Sequence, residues 1–344
     1  MKTSLALVAD IGGTNARYAV CDRNLAAPLL MDSVRQLAVA DFPTLVDSAR
    51  HYLQMTGLPP GAADSGVFAV AGRVDGDQAQ ITNHPWLISR SATCAALGFD
   101  ALALINDFTA QALATELLGG KDLVVVGDAQ PLPGAADCRT YAVIGPGTGL
   151  GVSALLLRDG RSYALETEGG HVGFAASTPE EAAILADLAR DYGRVSNERL
   201  LSGGGLSNIH RSLSRIGRVG APELLPPQII VAGARAGEST CRRAVEVFCE
   251  VFGTIAGDLV LTLGAWDGVF LTGGLVPRLL AELQASAFRQ RFEAKGRFAA
   301  AMARVPTLAV VHPQAGLLGA AAFAVRNLAS RQRGSDVPHG SRRT

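Results

Sequence analysis

One local pattern occurs twice in this chain and constrains its fold more than any other feature: an apolar strand, a glycine-rich turn and a second strand. The first copy has apolar residues 5–9, then Asp10, then Gly12-Gly13-Thr14-Asn15, then a strand that resumes at 18–20. The second copy has apolar residues 141–144, a glycine-rich segment over 145–151, and a strand over 152–157. Because a continuous apolar run is typical of a strand buried on both faces, both copies predict core strands. Two such units indicate two related halves facing each other.

Other segments of the sequence predict a further strand and several helices. A third glycine turn, Gly273-Gly274, ends an apolar strand over 268–272. Thr178-Pro179-Glu180-Glu181 predicts a capping box that starts a helix, and Gly193 can end it. Residues 238–263 have helical spacing, with Gly253 and Gly257 expected to bend or break the helix, and the alanine-rich stretch 315–326 predicts a helix packed on a sheet. Strands that alternate with helices predict an α/β fold.

Composition narrows the class of partner. The 344 residues include 31 Lys and Arg against 31 Asp and Glu, so the formal charge is zero, which argues against nucleic acid or an anionic membrane as a partner. Glycine makes up about 11% of the chain (39 of 344), against a usual share of about 7%, so the backbone must turn tightly or approach something closely. The five cysteines form no CxxC pair and no sequence cluster with histidine, which favours reduced thiols in a cytoplasmic protein over disulfides or structural zinc. Apolar segments are too short to span a bilayer, and the arginine-rich tail, 331–344, is expected to be disordered.

The glycine turns are the most numerous chemical signal. Consecutive backbone N–H groups without Cβ atoms form a nest for phosphate oxygens, and the hydroxyls of Thr14 and Thr148 add donors. An ordinary hairpin turn is the alternative for each. Neither turn is a Walker loop, since GxxxxGK[ST] is absent from the sequence. Asp10 is placed to hold Mg²⁺ through water, although a carboxylate bonded to its own turn backbone is an equal alternative.

A second candidate site lies where an apolar strand over 101–105 meets a predicted helix. Asn106 and Asp107 come at the carboxyl end of that strand, where α/β proteins bind ligands. Asp107 could position an attacking hydroxyl and accept its proton, or it could simply cap the helix.

Two further segments carry acids. Glu168 and His171 flank Gly169-Gly170, and a flexible, glycine-hinged loop with such side chains suits hydrogen bonding to several hydroxyls, as a sugar requires. A surface histidine without a ligand is the alternative. Glu198 precedes a possible helix start, where the helix dipole alone would favour a carboxylate.

Assembled in order, these segments resemble the bacterial glucokinase family, within the larger group of sugar kinases, actin and heat-shock ATPases. The matching stretches span residues 5 to about 325 and are Ala9-Asp10-Ile11-Gly12-Gly13-Thr14-Asn15-Ala16-Arg17, Thr82-Asn83-His84-Pro85-Trp86, Ile105-Asn106-Asp107-Phe108-Thr109-Ala110, Gly145-Pro146-Gly147-Thr148-Gly149-Leu150-Gly151, Glu168-Gly169-Gly170-His171-Val172, Glu198-Arg199-Leu200-Leu201-Ser202-Gly203 and Gly273-Gly274-Leu275-Val276-Pro277-Arg278.

The resemblance implies a two-lobed ribonuclease H-like (actin-like ATPase) fold with duplicated strand, glycine turn, strand units. It implies a small α/β lobe over 1–112, completed by a C-terminal helix over 313–330, and a large α/β lobe over 113–312. The implied activity is transfer of phosphate from ATP with Mg²⁺ to the 6-hydroxyl of D-glucose, in a cytoplasmic homodimer. A non-catalytic sugar or nucleotide sensor on the same fold is the alternative.

The resemblance also implies roles for the matching residues. Those facing ATP and Mg²⁺ would be Asp10, Gly12, Gly13, Thr14, Asn15, Gly145, Gly147, Thr148, Gly149, Gly273 and Gly274. Those binding glucose would be Asn106, Asp107, Glu168, His171 and Glu198, with Asp107 as the catalytic base. Gly173 departs from the pattern, because members of the family carry an acidic residue there. The related family that includes sugar-responsive repressors has a Cys-rich zinc motif after its histidine, whereas here no cysteine lies between Cys138 and Cys241.

Overall fold

The computed structural model describes residues 4–59, 61–81, 84–131, 138–218 and 224–328. Thr82 and Asn83 of the matching stretches, the last two residues of the predicted helix 313–330 and the predicted tail 331–344 lie outside the described residues. The chain divides into two compact units, which we name unit 1 (1–118 with 313–344) and unit 2 (119–312). None of the helices in the described part combines the length and apolar character needed to cross a membrane.

The described strands are β1 (Leu5–Ile11), β2 (Asn15–Asp22), β3 (Leu29–Ala38), β4 (Ala63–Val70), β5 (Val74–Asp75), β6 (Gln78–Gln80), β7 (Leu87–Ser89), β8 (Ala101–Asn106), β9 (Leu123–Val125), β10 (Cys138–Pro146), β11 (Leu150–Arg158), β12 (Arg161–Glu166), β13 (Gly268–Leu271) and β14 (Thr307–Val310). The described α-helices are α1 (Leu45–Met55), α2 (Arg90–Leu97), α3 (Asp107–Ala114), α4 (Pro179–Tyr192), α5 (Gly203–Gly217), α6 (Pro227–Arg235), α7 (Ser239–Leu263), α8 (Leu280–Ala285), α9 (Phe288–Glu293), α10 (Ala299–Met302) and α11 (Ala315–Phe323). A π-helical turn, Ala324–Leu328, continues α11.

Unit 1 is built on a sheet of order β3-β2-β1-β4-β8. Strands β1 and β2 form an antiparallel hairpin, whereas β1, β4 and β8 run parallel. The apolar run in β1 is almost wholly buried, which confirms the prediction of a core strand. Helix α11 packs against β1, β4 and α3, and its backbone comes so close to α3 that a Cβ atom on Gly319 would overlap the carbonyl group of Ala110. The predicted alanine-rich helix is therefore confirmed, and its small side chains serve close packing.

Unit 2 repeats the arrangement with a sheet of order β12-β11-β10-β13-β14-β9. Strands β10 and β11 form an antiparallel hairpin, and β10, β13 and β14 run parallel. The duplicated strand, glycine turn, strand pattern thus appears as two hairpins, each joined to parallel strands on one side. The predicted α/β class is confirmed.

Helix α4 begins at Pro179 as predicted, but only half of the capping box forms. The Thr178 side chain accepts the backbone N–H of Glu181 at 3.1 Å. The Glu181 carboxylate accepts the N–H of Ser177 at 2.7 Å and pairs with Arg291 at 2.6 Å, so among the described hydrogen bonds it does not return to Thr178. A buried carboxylate gains more from a guanidinium than from a second backbone N–H, which explains the difference.

Helix α7 corrects another expectation. It runs unbroken from Ser239 to Leu263, although Gly253 and Gly257 were expected to bend or break it. A Cβ atom on Gly253 would overlap the carbonyl oxygen of Phe288, and one on Gly257 would lie 2.5 Å from that of Phe292. The two glycines therefore let α9 lie directly against α7, and the buried apolar faces of both helices compensate for the low helix propensity.

Candidate active site

Asp10 lies near the carboxyl end of β1, directly opposite Arg17 of β2. Arg17 Nη1 donates to Asp10 Oδ2 at 3.3 Å. Burial raises the pKa of the Asp10 carboxyl, and the Arg17 guanidinium partly opposes that rise. The described hydrogen bond therefore runs to Arg17 and not to the turn backbone. A partly buried carboxylate of this kind gains when a further cation arrives, because added positive charge favours its ionised form.

Helix α11 begins directly against this carboxylate. A Cβ atom on Gly316 would lie 2.7 Å from Asp10 Cγ and Oδ2. Only glycine leaves room there, so Gly316 places the first turn of α11 and the partial positive charge of its N–H groups beside Asp10. Gly316 was not among the predicted residues, although it follows strand β14 at the start of a helix, as Asn106 and Asp107 follow β8.

The turn between β1 and β2 holds the residues predicted to face ATP in unit 1. The N–H of Gly12 donates to the carbonyl of Asn15 at 3.0 Å, which closes the turn. Asn15 Oδ1 accepts from Gln36 Nε2 at 3.2 Å, Thr14 is exposed, and Gly13 lies between Gly12 and Thr14. A Cβ atom on Gly12 would meet nothing closer than 3.6 Å, so the protein itself leaves space around this turn.

Strand β8 ends where α3 begins, and the two predicted residues divide the roles there. Asn106 is the cap: its Oδ1 accepts the N–H groups of Phe108 and Thr109 at 2.8 and 3.2 Å, and its Nδ2 donates to Gly72 O at 3.2 Å. Asp107 is the first helical residue, half-buried, and its Oδ1 accepts from the Phe108 N–H at 2.9 Å. The alternative in which Asp107 caps the helix is wrong, because Asn106 already does so.

The register of unit 1 brings these two places to one edge of the sheet. Ile11 pairs with Val70, and Val70 pairs with Asn106, in parallel strands. Neighbouring strands are about 4.8 Å apart, so the ends of β1 and β8 lie about 10 Å apart at the same level. Asp107 and the Gly12 turn therefore share the carboxyl edge of the sheet, the usual ligand edge of α/β proteins.

In unit 2 the predicted nucleotide turns pack backbone to backbone. The N–H of Gly147 donates to Gly149 O at 2.8 Å within the hairpin, and Thr148 is exposed at its tip. A Cβ atom on Gly145 would lie 2.6 Å from the Thr272 carbonyl, and one on Gly273, whose φ is +84°, would lie 2.6 Å from Pro146 O. The close approach of Gly145 and Gly273 therefore requires glycine. A Cβ atom on Gly147 would meet only the nitrogen of Gly274 at 4.0 Å, and one on Gly274 would meet nothing within 4 Å, so neither of these contacts demands glycine.

Glu198 reaches this hairpin with its side chain. It lies in a 3-10 turn, Asn197–Arg199, and its Oε2 accepts the N–H of Leu150 at 2.9 Å. A Cβ atom on Gly149 would lie 2.5 Å from the same oxygen. The Glu198 carboxylate is therefore held by the hairpin, in the first turn of this short 3-10 helix, whereas the cap of α5 is Ser202.

Glu168 and His171 are positioned by the same hairpin. Gly169 and Gly170 lie in a 3-10 turn, and a Cβ atom on Gly170 would overlap the carbonyl oxygen of Leu150. The expected flexible hinge is thus wrong: these glycines serve packing. Glu168 and His171 are both exposed, and the backbone carbonyl of His171 accepts a hydrogen bond from Arg194 at 2.7 Å. Glu168, His171 and Glu198 are therefore anchored around Leu150, next to the turn that carries Thr148.

Three contributors were missed besides Gly316. Arg17 pairs with Asp10, Leu150 supplies the N–H that holds Glu198, and Gly203 at the start of α5 donates its N–H to Gly147 O at 2.9 Å. All three lie inside matching stretches, so position alone pointed to them. Leu150 and Gly203 act through their backbone N–H groups, which side-chain identity does not reveal.

Asp10 is the candidate metal ligand of this site. Among the described residues it belongs to no cluster of three or more His, Cys, Asp or Glu ligands. Mg²⁺ commonly uses one or two carboxylates and completes its octahedron with water and substrate phosphates, so a single partly buried carboxylate next to the Gly12 turn fits that ion.

Comparison with known proteins gives a consistent result. The family model described as Glucokinase matches residues 7–327. A glucokinase of Stenotrophomonas maltophilia strain K279a is 63% identical over 319 residues, covering 92% of this chain and 94% of the relative. The crystal structure of a glucokinase from an Antarctic psychrotroph superposes with a TM-score of 0.80 at 34% identity, covering 93% of this chain and 98% of that one.

A more distant solved structure supports the fold alone. It is a glucokinase of the ROK family from Streptomyces griseus, crystallised with glucose and AMPPNP, with a TM-score of 0.61 at 18% identity and coverage of 92% and 98%. Together these likenesses confirm the predicted actin-like ATPase fold.

Proposed function

The chain belongs to the glucokinase family, and we propose that it transfers the γ-phosphoryl group of ATP to the 6-hydroxyl group of D-glucose, giving glucose 6-phosphate and ADP. The observation that carries the proposal is the shared sheet edge in unit 1. Asp107 follows β8 and the Gly12 turn follows β1, and the carboxyl ends of these two parallel strands lie about 10 Å apart. That separation suits a base at one end and phosphate at the other, with the reacting hydroxyl between them. The glucose and AMPPNP in the Streptomyces griseus structure agree with this pair of ligands.

ATP is the phosphoryl donor in this proposal, held by backbone groups. The residues facing it are Asp10, Gly12, Gly13, Thr14, Asn15, Gly145, Gly147, Thr148, Gly149, Gly273 and Gly274. Because N–H groups and hydroxyls supply most of the contacts, the neutral charge of the chain is no obstacle to binding a polyphosphate. Asp10 would hold Mg²⁺ through water, and the bound ion would neutralise charge on the transferring phosphate.

Glucose is held by Asn106, Asp107, Glu168, His171 and Glu198 in this proposal. Asp107 accepts the proton of the 6-hydroxyl as that oxygen forms its bond to the γ-phosphorus. The bond between the γ-phosphorus and the bridging oxygen breaks, and ADP leaves with the electron pair. The transition state is loose, so positioning of the hydroxyl by Asp107 contributes together with proton transfer.

We extend the proposal to the organisation of the protein: a small lobe over 1–112 completed by 313–330, a large lobe over 113–312, and a cytoplasmic homodimer. The two compact units support the lobes, since their boundaries fall within six residues of these positions (118 against 112, and 313 in both). Size-exclusion chromatography with light scattering measures the oligomeric state, and a monomer at micromolar concentration would contradict the dimer.

A coupled ADP-release assay with a panel of sugars tests the activity. The expected result is Mg-ATP turnover that depends on glucose, with mannose and glucosamine as comparison substrates. Calorimetry on the same samples supplies the control. Glucose binding without release of ADP would overturn the kinase proposal and favour a sensor on the same fold.

A further inference from the structure

Unit 2 contains a second group of ligating side chains that the proposed kinase site does not use. His210 of α5, Glu238 at the cap of α7 and Cys241 in the first turn of α7 each offer one ligand atom, and these atoms lie within 4.8 Å of one another. Along α5, His210 lies about 10 Å from Gly203, the residue that contacts the phosphate turn. The group is therefore separate from the nucleotide turn but shares a helix with it.

Burial marks His210 as unusual. The residue is only 8% exposed, and its Nδ1 atom is buried without a hydrogen-bond partner among the described residues. Buried polar atoms almost always have partners, so an orphan calls for an explanation such as an absent ion. Burial also lowers the pKa of His210, which keeps the imidazole in the neutral form that binds metals.

The other two ligands are paired with each other: burial and a hydrogen bond to the Glu238 carboxylate raise the pKa of the Cys241 thiol to about 12, so an ion that binds here displaces that proton. Cys241 is buried as a free thiol beside the backbone of Gly233, where a Cβ atom would lie 2.8 Å from its sulfur. Glu238 is exposed, and its carboxylate accepts the N–H groups of Thr240 and Cys241. A carboxylate has about four lone-pair sites, so it can keep backbone contacts while one oxygen turns to an ion. Because Glu238 faces solvent, it also gives an ion a route in.

We propose that His210, Glu238 and Cys241 form a zinc site that ties α5 to the start of α7. One nitrogen, one sulfur and one oxygen make a mixed donor set that suits a borderline-soft ion, and water completes the four-coordinate shell. Metal–ligand bonds of about 2.0–2.3 Å place ligand atoms about 3.5 Å apart in a tetrahedron, so the group closes by about 1 Å on binding. The Cys241 thiol loses its proton to solvent as the sulfur–zinc bond forms.

Sequence spacing concealed this group. The sequence shows no CxxC pair and no Cys/His cluster because His210 is 31 positions before Cys241, and only the packing of α5 against α7 brings them together. The expectation that the cysteines hold no structural zinc therefore rested on local spacing alone.

Cobalt(II), which replaces zinc and reports thiolate ligation by absorbance, is the probe that tests the proposal. Untagged full-length protein is reduced, stripped with a chelator and titrated with Co²⁺. The expected result is one Co²⁺ per chain with a thiolate-to-metal charge-transfer band, displaced by Zn²⁺, and a Zn²⁺-dependent rise in Tm. Absence of stoichiometric binding to the wild-type chain would overturn the proposal.

Matched cysteine variants assign the site. Cys241→Ala should lose the charge-transfer band and bind at least ~100-fold more weakly. Cys249→Ala, a buried cysteine two turns further along α7, and Cys138→Ser, an exposed one, should behave as wild type. A band that survives in Cys241→Ala, or that disappears with Cys138 instead, would overturn the assignment.

A second variant covers the case in which Cys241→Ala does not fold, as judged by circular dichroism without metal. His210→Gln keeps the thiol, so it should retain a charge-transfer band while the visible d–d bands shift and the affinity falls. Wild-type spectra and affinity in His210→Gln would remove the histidine from the site and contradict the proposal.

Discussion

The β1–β2 and β10–β11 hairpins share one sequence pattern, but the space around their glycines differs. In unit 1 a Cβ atom on Gly12 would find ordinary space, with its nearest neighbour 3.6 Å away. In unit 2 a Cβ atom on Gly145 would collide with the backbone of Thr272 at 2.6 Å. The first turn can therefore keep its glycine for an incoming ligand, whereas the second needs it for the fold.

Each unit also presses a carboxylate against a residue that has no side chain. In unit 1 the pair is Asp10 and Gly316, at 2.7 Å from the missing Cβ position. In unit 2 it is Glu198 and Gly149, at 2.5 Å. In unit 1 the carboxylate lies in the hairpin and the glycine lies in helix α11. In unit 2 the glycine lies in the hairpin and the carboxylate lies in a 3-10 turn. The same kind of contact therefore forms with the two residue types on opposite elements.

Replacing Asp107 should have the largest effect on turnover, because unit 1 is proposed to carry the catalytic base and unit 2 is not. For Asp107→Ala we expect kcat to fall at least ~10²-fold, the lower range for removal of a general base. Asp107→Asn sharpens the test, since its side-chain oxygen can still accept the Phe108 N–H while losing the capacity to take a proton. Near-wild-type kcat in Asp107→Asn, measured by the coupled assay, would return Asp107 to a structural role.

The two hairpin glycines form a matched pair for the next test. Gly145→Ala should lower the free energy of unfolding by about 1–3 kcal/mol, as overpacking does, because backbone must move. Gly12→Ala should change it by less than ~0.5 kcal/mol while raising KM for ATP, since only the ligand meets the new methyl group. Urea denaturation and steady-state kinetics measure both, and equal destabilisation by the two variants would erase the contrast between the hairpins.

A double-mutant cycle examines the contact between Gly149 and Glu198. Gly149→Ala should be destabilising alone, because the new Cβ would meet Glu198 Oε2 at 2.5 Å. In a Glu198→Ala background that clash disappears, so the same change should cost about 1 kcal/mol less. Additive effects in urea denaturation would mean that another contact limits residue 149. Glu198→Gln, which keeps an oxygen for the Leu150 N–H, is the control.

The smallest expected effect concerns Asp10 and pH. Since burial raises the pKa of Asp10 in the folded protein, the folded state binds this proton more tightly than the unfolded chain does. The stability it contributes is complete below the ordinary pKa of about 4 and is lost as pH rises through the raised value. Without nucleotide, Asp10→Asn should therefore gain stability relative to wild type as pH rises through that window. Denaturation curves across pH measure this, and a relative loss would reverse the assigned sign.

Sequence patterns reached most of the fold because they depend on local chemistry. Continuous apolar runs located β1 and β10, Pro179 located the start of α4, and the glycine turns marked the edges of both sheets. The order of short segments along the chain then pointed to one family. These features are written in consecutive residues, so one chain suffices to find them.

The features that the sequence did not predict have a different cause, because they depend on which distant segment packs against the residue. Gly253 and Gly257 look like helix breakers until the carbonyl groups of Phe288 and Phe292 are seen against them. Glu198 looks like a helix-dipole residue until the N–H of Leu150 appears 2.9 Å away. His210 and Cys241 come together only through helix packing.

Helix α11 closes unit 1 after the whole of unit 2 has been added to the chain. Strand β1 is synthesised before unit 2, whereas the helix that packs on it, on β4 and on α3 is synthesised after unit 2. Unit 2 is continuous in sequence and can finish folding before helix α11 is available to cover the apolar face of the unit 1 sheet. During synthesis the growing chain therefore carries an exposed nascent sheet throughout, which makes unit 1 the part of this protein that chaperones are expected to hold.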